Sequence, residues 1–249
     1  DENYKDINKS FELALEGVRL GNEKCSHMVG IIYQNQKDYE LAFKWFKASE
    51  DYDMSSYEIG WAYYFGKGVP RDYTMAIQYF KKVGHLPEAQ RMLGQCYYFG
   101  EGCVSDKSVA FHYYEQAAMN GDSIAMGNLA SMYYAGEGTE RNTERVLYWA
   151  SLAASKNNVK GYYFLGVTYA EGKLLLKDDK QAFYYLHKSA TLGDAVGQYW
   201  TAMFYKEGRG TEKNKSLYLE WLKKSADQKE PKAIRELNDY NHRGIIFKC

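Results

Sequence analysis

One short pattern recurs along almost the whole chain at a nearly constant interval. A small residue is followed eight positions later by a tyrosine in six copies, at Tyr33, Tyr63, Tyr97, Tyr133, Tyr169 and Tyr205. The copies lie 30, then 34, then 36 residues apart. Repeats of this length are typical of arrays in which each unit buries its apolar face only against its neighbours. The repeat therefore constrains the fold more strongly than any single motif.

Each copy of the pattern predicts two helices. The first, helix A, carries the small residue, a glycine or alanine five positions on, and the tyrosine. The second, helix B, carries an alanine or larger residue followed three positions later by an aromatic one, as in Ala76 and Tyr79 or Ala110 and Tyr113. Spacings of three, four and seven are the period of a helix and not the alternation of a strand. The chain is therefore predicted to be all-α.

An Asp or Asn stands four positions ahead of every helix B stripe. The six residues are Asp38, Asp72, Asp106, Asn142, Asp178 and Asn214. Side chains of this kind accept hydrogen bonds from the unpaired amides of a first helical turn, so the column predicts N-caps. A row of metal-binding carboxylates is the alternative, but one acid per repeat is too sparse to surround an ion.

Paired glycines follow helix A in four copies, as in "FGEGC" at residues 99–103. A phosphate-binding loop needs a strand before its glycines and a Lys followed by Ser or Thr after them. Neither feature is present. The glycines are interpreted as the ends of helix A, where the backbone requires positive φ.

The repeats predict a single domain over residues 1–249. It would begin with a lone helix B at residues 10–22, continue through six A/B pairs over residues 25–228, and end with a lone helix A at residues 231–240. Half-units at both ends would cover the apolar faces that stacking leaves open.

Charge and hydropathy exclude several classes of function. The chain has 32 basic and 32 acidic side chains and a formal net charge of zero. This balance predicts no strong attraction to nucleic acid or to an anionic membrane. The longest apolar runs are too short for a membrane span. The first residue is Asp, which leaves open a removed targeting segment and both a cytoplasmic and a periplasmic location.

No catalytic, cofactor or metal site is predicted. Cys25, Cys96, Cys103 and Cys249 show no CxxC or Cys/His ligand spacing and are interpreted as free thiols. The five histidines are scattered over different repeats without a metal-binding pattern. Cys103 and His112 would need an orienting third group to act as a nucleophile pair, and the sequence indicates none. The chain is therefore predicted not to be an enzyme.

Two stretches carry a family resemblance. "LGQCYYFGEGCVSDKSVAFHYYEQAAMNGDSIA" (93–125) and "IGWAYYFGKGVPRDYTMAIQYF" (59–80) resemble Sel1-like repeats, relatives of tetratricopeptide repeats, and the resemblance extends over about residues 10–240. It implies a right-handed α-solenoid of stacked helix A/helix B hairpins, with the A helices lining a concave groove. It also implies roles as adaptors in signalling, in protein quality control, and in bacterial contacts with hosts or rivals, including immunity proteins against secreted toxins.

A cysteine-rich branch of the family is implicated in β-lactam binding and carries a disulfide in each repeat. This chain has no regular cysteine pair per unit. The resemblance therefore does not extend to that activity.

The candidate partner-binding surface is the face of helix A that remains once the repeated positions are buried. Its residues form an i, i+4, i+7 stripe. The candidates are Tyr57, Trp61, Tyr64, Arg91, Gln95, Tyr98, Ser131, Tyr134 and Tyr163. Tyr, Trp and Arg are enriched at protein interfaces. In the alternative interpretation these rings pack against the neighbouring helix A; the nearby Glu58, Glu101 and Glu137 are expected to be solvated.

The sequence thus predicts a non-enzymatic interaction scaffold that binds a protein or peptide, such as a signalling protein or a toxin, in its groove. No cofactor is predicted. Two alternatives remain open. One is a bacterial immunity or inhibitor protein that blocks a secreted toxin by stoichiometric binding, and the other is a hydrolase or cell-wall-acting enzyme.

Overall fold

The computed structural model describes residues 2–172 and 176–246. Over these two ranges it contains fourteen helices and no strand, which confirms the all-α prediction. The chain divides into two compact units, Asp1–Asp122 and Ser123–Cys249. The prediction of a single domain over residues 1–249 stays a prediction.

The first unit contains seven helices. These are α1 (Glu2–Arg19), α2 (Glu23–Asn35), α3 (Tyr39–Lys47), α4 (Asp53–Phe65), α5 (Tyr73–Lys82), α6 (Pro87–Phe99) and α7 (Lys107–Met119). Helices α2, α4 and α6 are A helices, and each packs against the B helix that follows it. The leading helix α1 begins ahead of the predicted residue 10 and ends at Arg19, because Gly21 turns the chain with a φ of 77°.

The second unit repeats this arrangement. Its helices are α8 (Ser123–Ala135), α9 (Thr143–Ser155), α10 (Val159–Glu171), α11 (Asp179–Thr191), α12 (Ala195–Glu207), α13 (Lys215–Asp227) and α14 (Pro231–Ile246). Helices α8, α10 and α12 pack as A helices against α9, α11 and α13. The trailing helix α14 packs against α13 and runs beyond the predicted residue 240.

In three hairpins the tyrosine of helix A stacks on the aromatic residue of helix B, as in Tyr63 and Tyr79. Tyr97 stacks on Tyr113 with ring centroids 5.6 Å apart and an interplanar angle of 11°, and Tyr169 stacks on Tyr185 at 5.7 Å and 11°. The glycine column allows the two helices to approach closely. A methyl group at Gly94 would lie 2.8 Å from the ring of Tyr114, so this position requires glycine.

The Asp/Asn column forms the predicted N-caps. All six side chains accept hydrogen bonds from amides in the first turn of their helix B. Asp106, for example, accepts from the amides of Ser108 at 2.9 Å and Val109 at 3.0 Å. These bonds satisfy donors that a helix start otherwise leaves unpaired.

The glycine loops also end helix A as predicted. Helix α6 stops at Gly100, which has the left-handed φ of 75°. The second glycine, Gly102, adopts a φ of 77°, and a side chain there would collide with Tyr73 at the start of the preceding helix B. The loop therefore docks this repeat on the repeat before it, and the loops with Gly68 and Gly210 make the corresponding contact with Tyr39 and Asp179.

Candidate functional site

Six of the candidate residues lie on two neighbouring A helices of the first unit. Tyr57, Trp61 and Tyr64 are on α4, and the others, Arg91, Gln95 and Tyr98, are on α6. Tyr57 and Tyr64 belong to the buried core of the unit, with exposed fractions of 9% and 5%. The other four are half-buried. The stripe is therefore partly core and partly surface.

Tyr64 links the two helices through polar groups. The amide of Gln95 donates a hydrogen bond of 2.6 Å to the Tyr64 hydroxyl, which in turn donates to the carboxylate of Glu101 in the loop after α6. Burial, together with this carboxylate, raises the pKa of Tyr64. The expectation that Glu101 is solvated was wrong, because the glycine loop places its carboxylate against the tyrosine.

Arg91 is fully engaged within the unit. Its Nε donates a hydrogen bond of 2.9 Å to Oδ2 of Asp122, and the two side chains are only 16% and 10% exposed. Burial alone would lower the pKa of Arg91, but Asp122 and Tyr57 outweigh it and the pKa is raised. The guanidinium therefore ties α6 to the end of the loop that follows α7.

Apolar rings remain exposed beside these buried contacts. The indole of Trp61 lies 4.7 Å from the ring of Phe65, which is 40% exposed. On α6 the ring of Tyr98 lies 4.9 Å from Phe99, which is 64% exposed. The ammonium of Lys107 sits 3.0 Å from the centroid of the Tyr98 ring. The two phenylalanines were not among the predicted site residues, although the repeat places both at the end of helix A.

Glu58 is also less exposed than its sequence position indicated. Its carboxylate is half-buried on α4 and accepts a hydrogen bond of 3.2 Å from the amide of Gln34 on α2. Burial raises the pKa of Glu58, and the Gln34 amide lowers it by less. The expectation of a solvated side chain was therefore wrong. Its position three residues before Trp61 on a helix was the available signal.

The remaining candidates lie in the second unit. Ser131 and Tyr134 are half-buried on α8, and Tyr163 is half-buried on α10. The Tyr134 hydroxyl donates a hydrogen bond of 2.6 Å to Oε1 of Glu171. Burial raises the pKa of Tyr163, and the charge of Asp194 raises it further. In this unit too, the hydroxyl of one candidate tyrosine, Tyr134, is therefore engaged with the next helix A.

A cleft of about 440 Å³ lies between α12, α13 and α14 in the second unit. Lys206, Lys213 and Lys215 stand on its wall with Tyr218 and Glu236. Lys206 donates to the Glu236 carboxylate, and the Tyr218 hydroxyl donates to the same carboxylate at 2.9 Å. Internal pairs therefore already satisfy several of its polar groups.

Metal-ligand clusters and cysteine thiols are the described features that bear on catalysis. No group of three or more His, Cys, Asp and Glu side chains that could hold a metal ion occurs among them. Burial raises the pKa of Cys96 to about 12 and also raises that of Cys103, so neither thiol is activated as a nucleophile. Cys25, Cys96 and Cys103 are free thiols, as predicted, and Cys249 lies outside the described residues.

The described helices also include none long and apolar enough to cross a lipid bilayer.

The model of the Sel1 repeat matches six stretches of the chain, residues 19–50, 54–82, 87–122, 123–158, 159–194 and 195–230. No curated protein sequence gives a match. The fold is similar to that of a Sel1 repeat protein from Oxalobacter formigenes, with 26% identity, a TM-score of 0.79, and coverage of 85% of this chain and 86% of that one.

Two further solved structures are similar to this chain. A protective antigen present in uropathogenic Escherichia coli strains, which displays an SLR fold, is 29% identical with a TM-score of 0.78. The match covers 94% of this chain and 52% of the antigen, so the chain spans about half of the antigen's length. An immunity protein from Pseudomonas aeruginosa is 17% identical with a TM-score of 0.50, covering 76% of this chain and 74% of that one. This last likeness concerns the fold alone.

Proposed function

Because the chain belongs to the Sel1 repeat family, we propose that it is a non-enzymatic scaffold that binds a protein or peptide on the exposed face of its A helices. Sel1 repeat proteins are generally protein-interaction scaffolds. In the first unit the partner would contact Trp61, Gln95 and Tyr98. In the second it would contact the half-buried side chains of Ser131, Tyr134 and Tyr163.

The observation that carries this proposal is the pair of exposed aromatic edges at the ends of α4 and α6. Each edge exposes ring surface that is not buried in the core of the unit. The two ring pairs are Trp61 with Phe65 and Tyr98 with Phe99. Rings of this size bury much apolar area at a small cost in side-chain entropy, and each square ångström removed from water contributes about 25 cal/mol. Such residues are typical centres of binding energy at protein interfaces.

The buried candidates take a supporting role in the proposal. Tyr64 accepts a hydrogen bond from Gln95 on α6, Tyr57 is packed in the core of the unit, and Arg91 is paired with Asp122. The first of these contacts joins α4 directly to α6. A partner would then meet a preorganised surface, which reduces the entropy lost on binding. Replacing these three residues would perturb the scaffold as well as the surface.

Two cysteines of the first unit support a function without catalysis. The raised thiol pKa values of Cys96 and Cys103 disfavour nucleophilic chemistry at neutral pH. The likeness to the Pseudomonas aeruginosa immunity protein concerns the fold and does not favour toxin neutralisation over another partner. We therefore propose protein binding in general and not toxin neutralisation in particular.

Site-specific photocrosslinking in the native cell tests the proposal. The photoreactive residue benzoylphenylalanine would replace Trp61 or Gln95 on the exposed face of the A helices. The matched control is Tyr148, an exposed aromatic on α9, a B helix. We expect discrete protein adducts at positions 61 and 95 that are absent at 148. Adducts of equal yield at all three positions, or none at 61 and 95, would contradict the proposal.

A further inference from the structure

Glu58 combines partial burial with the lack of a positively charged partner. Within residues 2–172 and 176–246 its carboxylate forms no ion pair, and its hydrogen-bond partner is the neutral amide of Gln34. The buried charges of Arg91 and Asp122 in the same unit, by contrast, neutralise each other at 2.9 Å. Glu58 is thus a half-buried charge that the unit leaves uncompensated.

An uncompensated carboxylate of this kind is unfavourable in the free protein. Moving a charge partly out of water costs free energy unless a counter-charge or several hydrogen bonds replace the lost hydration. The single bond from Gln34, at 3.2 Å, is at the long end of the range for an N–H···O bond. A cation supplied by a bound partner would replace the missing interaction with a stronger, charge-assisted one.

The surroundings of Glu58 select the kind of cation. No cluster of three possible metal ligands occurs in the described part of the chain, and Mg²⁺ or Ca²⁺ needs several oxygen ligands. Trp61 lies one helical turn from Glu58 and is half-exposed, with Phe65 one further turn along the same stripe. A carboxylate beside an indole suits a planar guanidinium, which can pair with the one and stack on the other.

We propose that the partner of the first unit presents an arginine side chain whose guanidinium forms an ion pair with Glu58 and stacks on Trp61. This inference rests on the proposed function and specifies the chemistry of the partner. The peptide segment around the arginine would lie along the exposed face of α4. The rings of Trp61 and Phe65 would contact its apolar side chains.

The test is a selection from a random library of displayed 12-residue peptides against the full chain. Four proteins are compared: the wild type, Glu58→Gln, Glu58→Lys and, as a matched control, Glu40→Gln, which removes an exposed carboxylate from α3. The wild type and Glu40→Gln should enrich peptides with an arginine at a common position. Glu58→Gln should lose this preference, and Glu58→Lys should enrich Asp or Glu at the same position, which a purely structural role would not produce.

A second measurement needs no protein variant. In the selected peptide, citrulline, which is neutral and nearly the same shape, replaces the arginine, and lysine replaces it in a third peptide. Titration of the wild-type protein should give at least about tenfold weaker binding for citrulline, equivalent to about 1.4 kcal/mol. The lysine peptide should bind with an affinity between those of the arginine and citrulline peptides. Trp61→Leu should bring the arginine and lysine peptides to similar affinity.

The outcomes separate this inference from the function on which it rests. Enriched peptides without arginine, or equal binding of the arginine and citrulline peptides, would overturn the arginine site and leave peptide binding intact. Equal binding of lysine and arginine by the wild type would overturn the role of Trp61. If no peptide is enriched above a surface without protein, both proposals fail. Circular dichroism and cooperative thermal unfolding verify that each variant is folded.

Discussion

The hydroxyl of Tyr134 donates a hydrogen bond of 2.6 Å to the carboxylate of Glu171, the last residue of the next helix A, 37 residues later. Tyr64 makes the corresponding bond to Glu101, also 37 residues later. These bonds join the ends of successive A helices in each unit. Together with the docking of the loop glycines, they explain how one repeat sets the position of the next.

Replacing Tyr134 with Phe tests the contribution of this bond to stability. The variant keeps the ring and removes the hydroxyl, so we expect the free energy of unfolding to fall by about 1 kcal/mol. Denaturant unfolding of wild type, Tyr134→Phe, Glu171→Gln and the double variant measures the coupling between the two groups. Tyr148→Phe, at an exposed position on α9, is the control. A coupling near zero would show that the bond does not hold the repeats together.

The same bond predicts a dependence on alkaline pH. Burial and the Glu171 carboxylate raise the pKa of Tyr134 from its ordinary value of 10.0 to about 12. Stabilisation from a raised pKa is complete below the unfolded pKa and is lost as the pH rises through the folded one. The stability difference between wild type and Tyr134→Phe should therefore be constant up to about pH 10 and shrink between pH 10 and 12. A difference that does not change over this interval would contradict the assignment.

The N-cap column predicts a graded effect of two substitutions. Asp106 accepts from two amides, those of Ser108 and Val109, whereas Asp72 accepts from that of Met75 at 3.0 Å. Asp106→Ala and Asp72→Ala should each lower the free energy of unfolding by about 0.5–2 kcal/mol, with the larger loss at Asp106. Asp106→Asn keeps an accepting oxygen and should retain most of the stability. Unchanged denaturation midpoints for both alanine variants would contradict the capping role.

The sequence predicted the helices and their caps because these depend on local chemistry. The spacing of Tyr97 and Tyr113 and the place of Asp106 follow from helical period and first-turn hydrogen bonding alone. The burial of Tyr57 and Tyr64 could not be predicted in the same way, because a stripe on one helix does not say how much of it the neighbouring repeat covers. For the same reason Glu101 was expected in solvent. The loop glycines bring Glu101 to Tyr64, and this contact joins residues that are far apart in the sequence.

Alanine substitutions at two glycines with positive φ distinguish the cost of backbone strain from the cost of a steric collision. Gly68 has a φ of 74°, and a methyl group there would overlap the carbonyl of Tyr39 in the preceding helix B. Gly121 has a φ of 94° but faces open space. Gly121→Ala should cost about 1 kcal/mol from backbone strain alone, and Gly68→Ala at least about 3 kcal/mol because the loop must also move. Thermal and denaturant unfolding would measure the loss of stability in each variant. Equal losses would show that Gly68 does not pack closely against Tyr39.

The last prediction concerns the stability cost of Glu58. Because burial raises its pKa above the ordinary 4.5, the folded state binds the proton more tightly than the unfolded state. The stability that comes from this proton is present below about pH 4.5 and is lost as the pH rises through the raised value. At pH 7 the charged carboxylate is therefore unfavourable in the free protein. Glu58→Gln should be more stable by about 0.2–1 kcal/mol, the scale of partly exposed charges.

The pH dependence of the stability difference between Glu58→Gln and wild type distinguishes the effect of the buried charge from a change in packing. The advantage of Glu58→Gln over wild type should shrink as the pH falls from 7 towards 4, because Glu58 then becomes neutral in both states of the wild type. Denaturant unfolding at several pH values measures the difference, with Glu40→Gln as the control for loss of an exposed charge. A variant that is less stable than wild type at pH 7 would mean that the carboxylate is already compensated. The energetic argument for an arginine supplied by the partner would then fail.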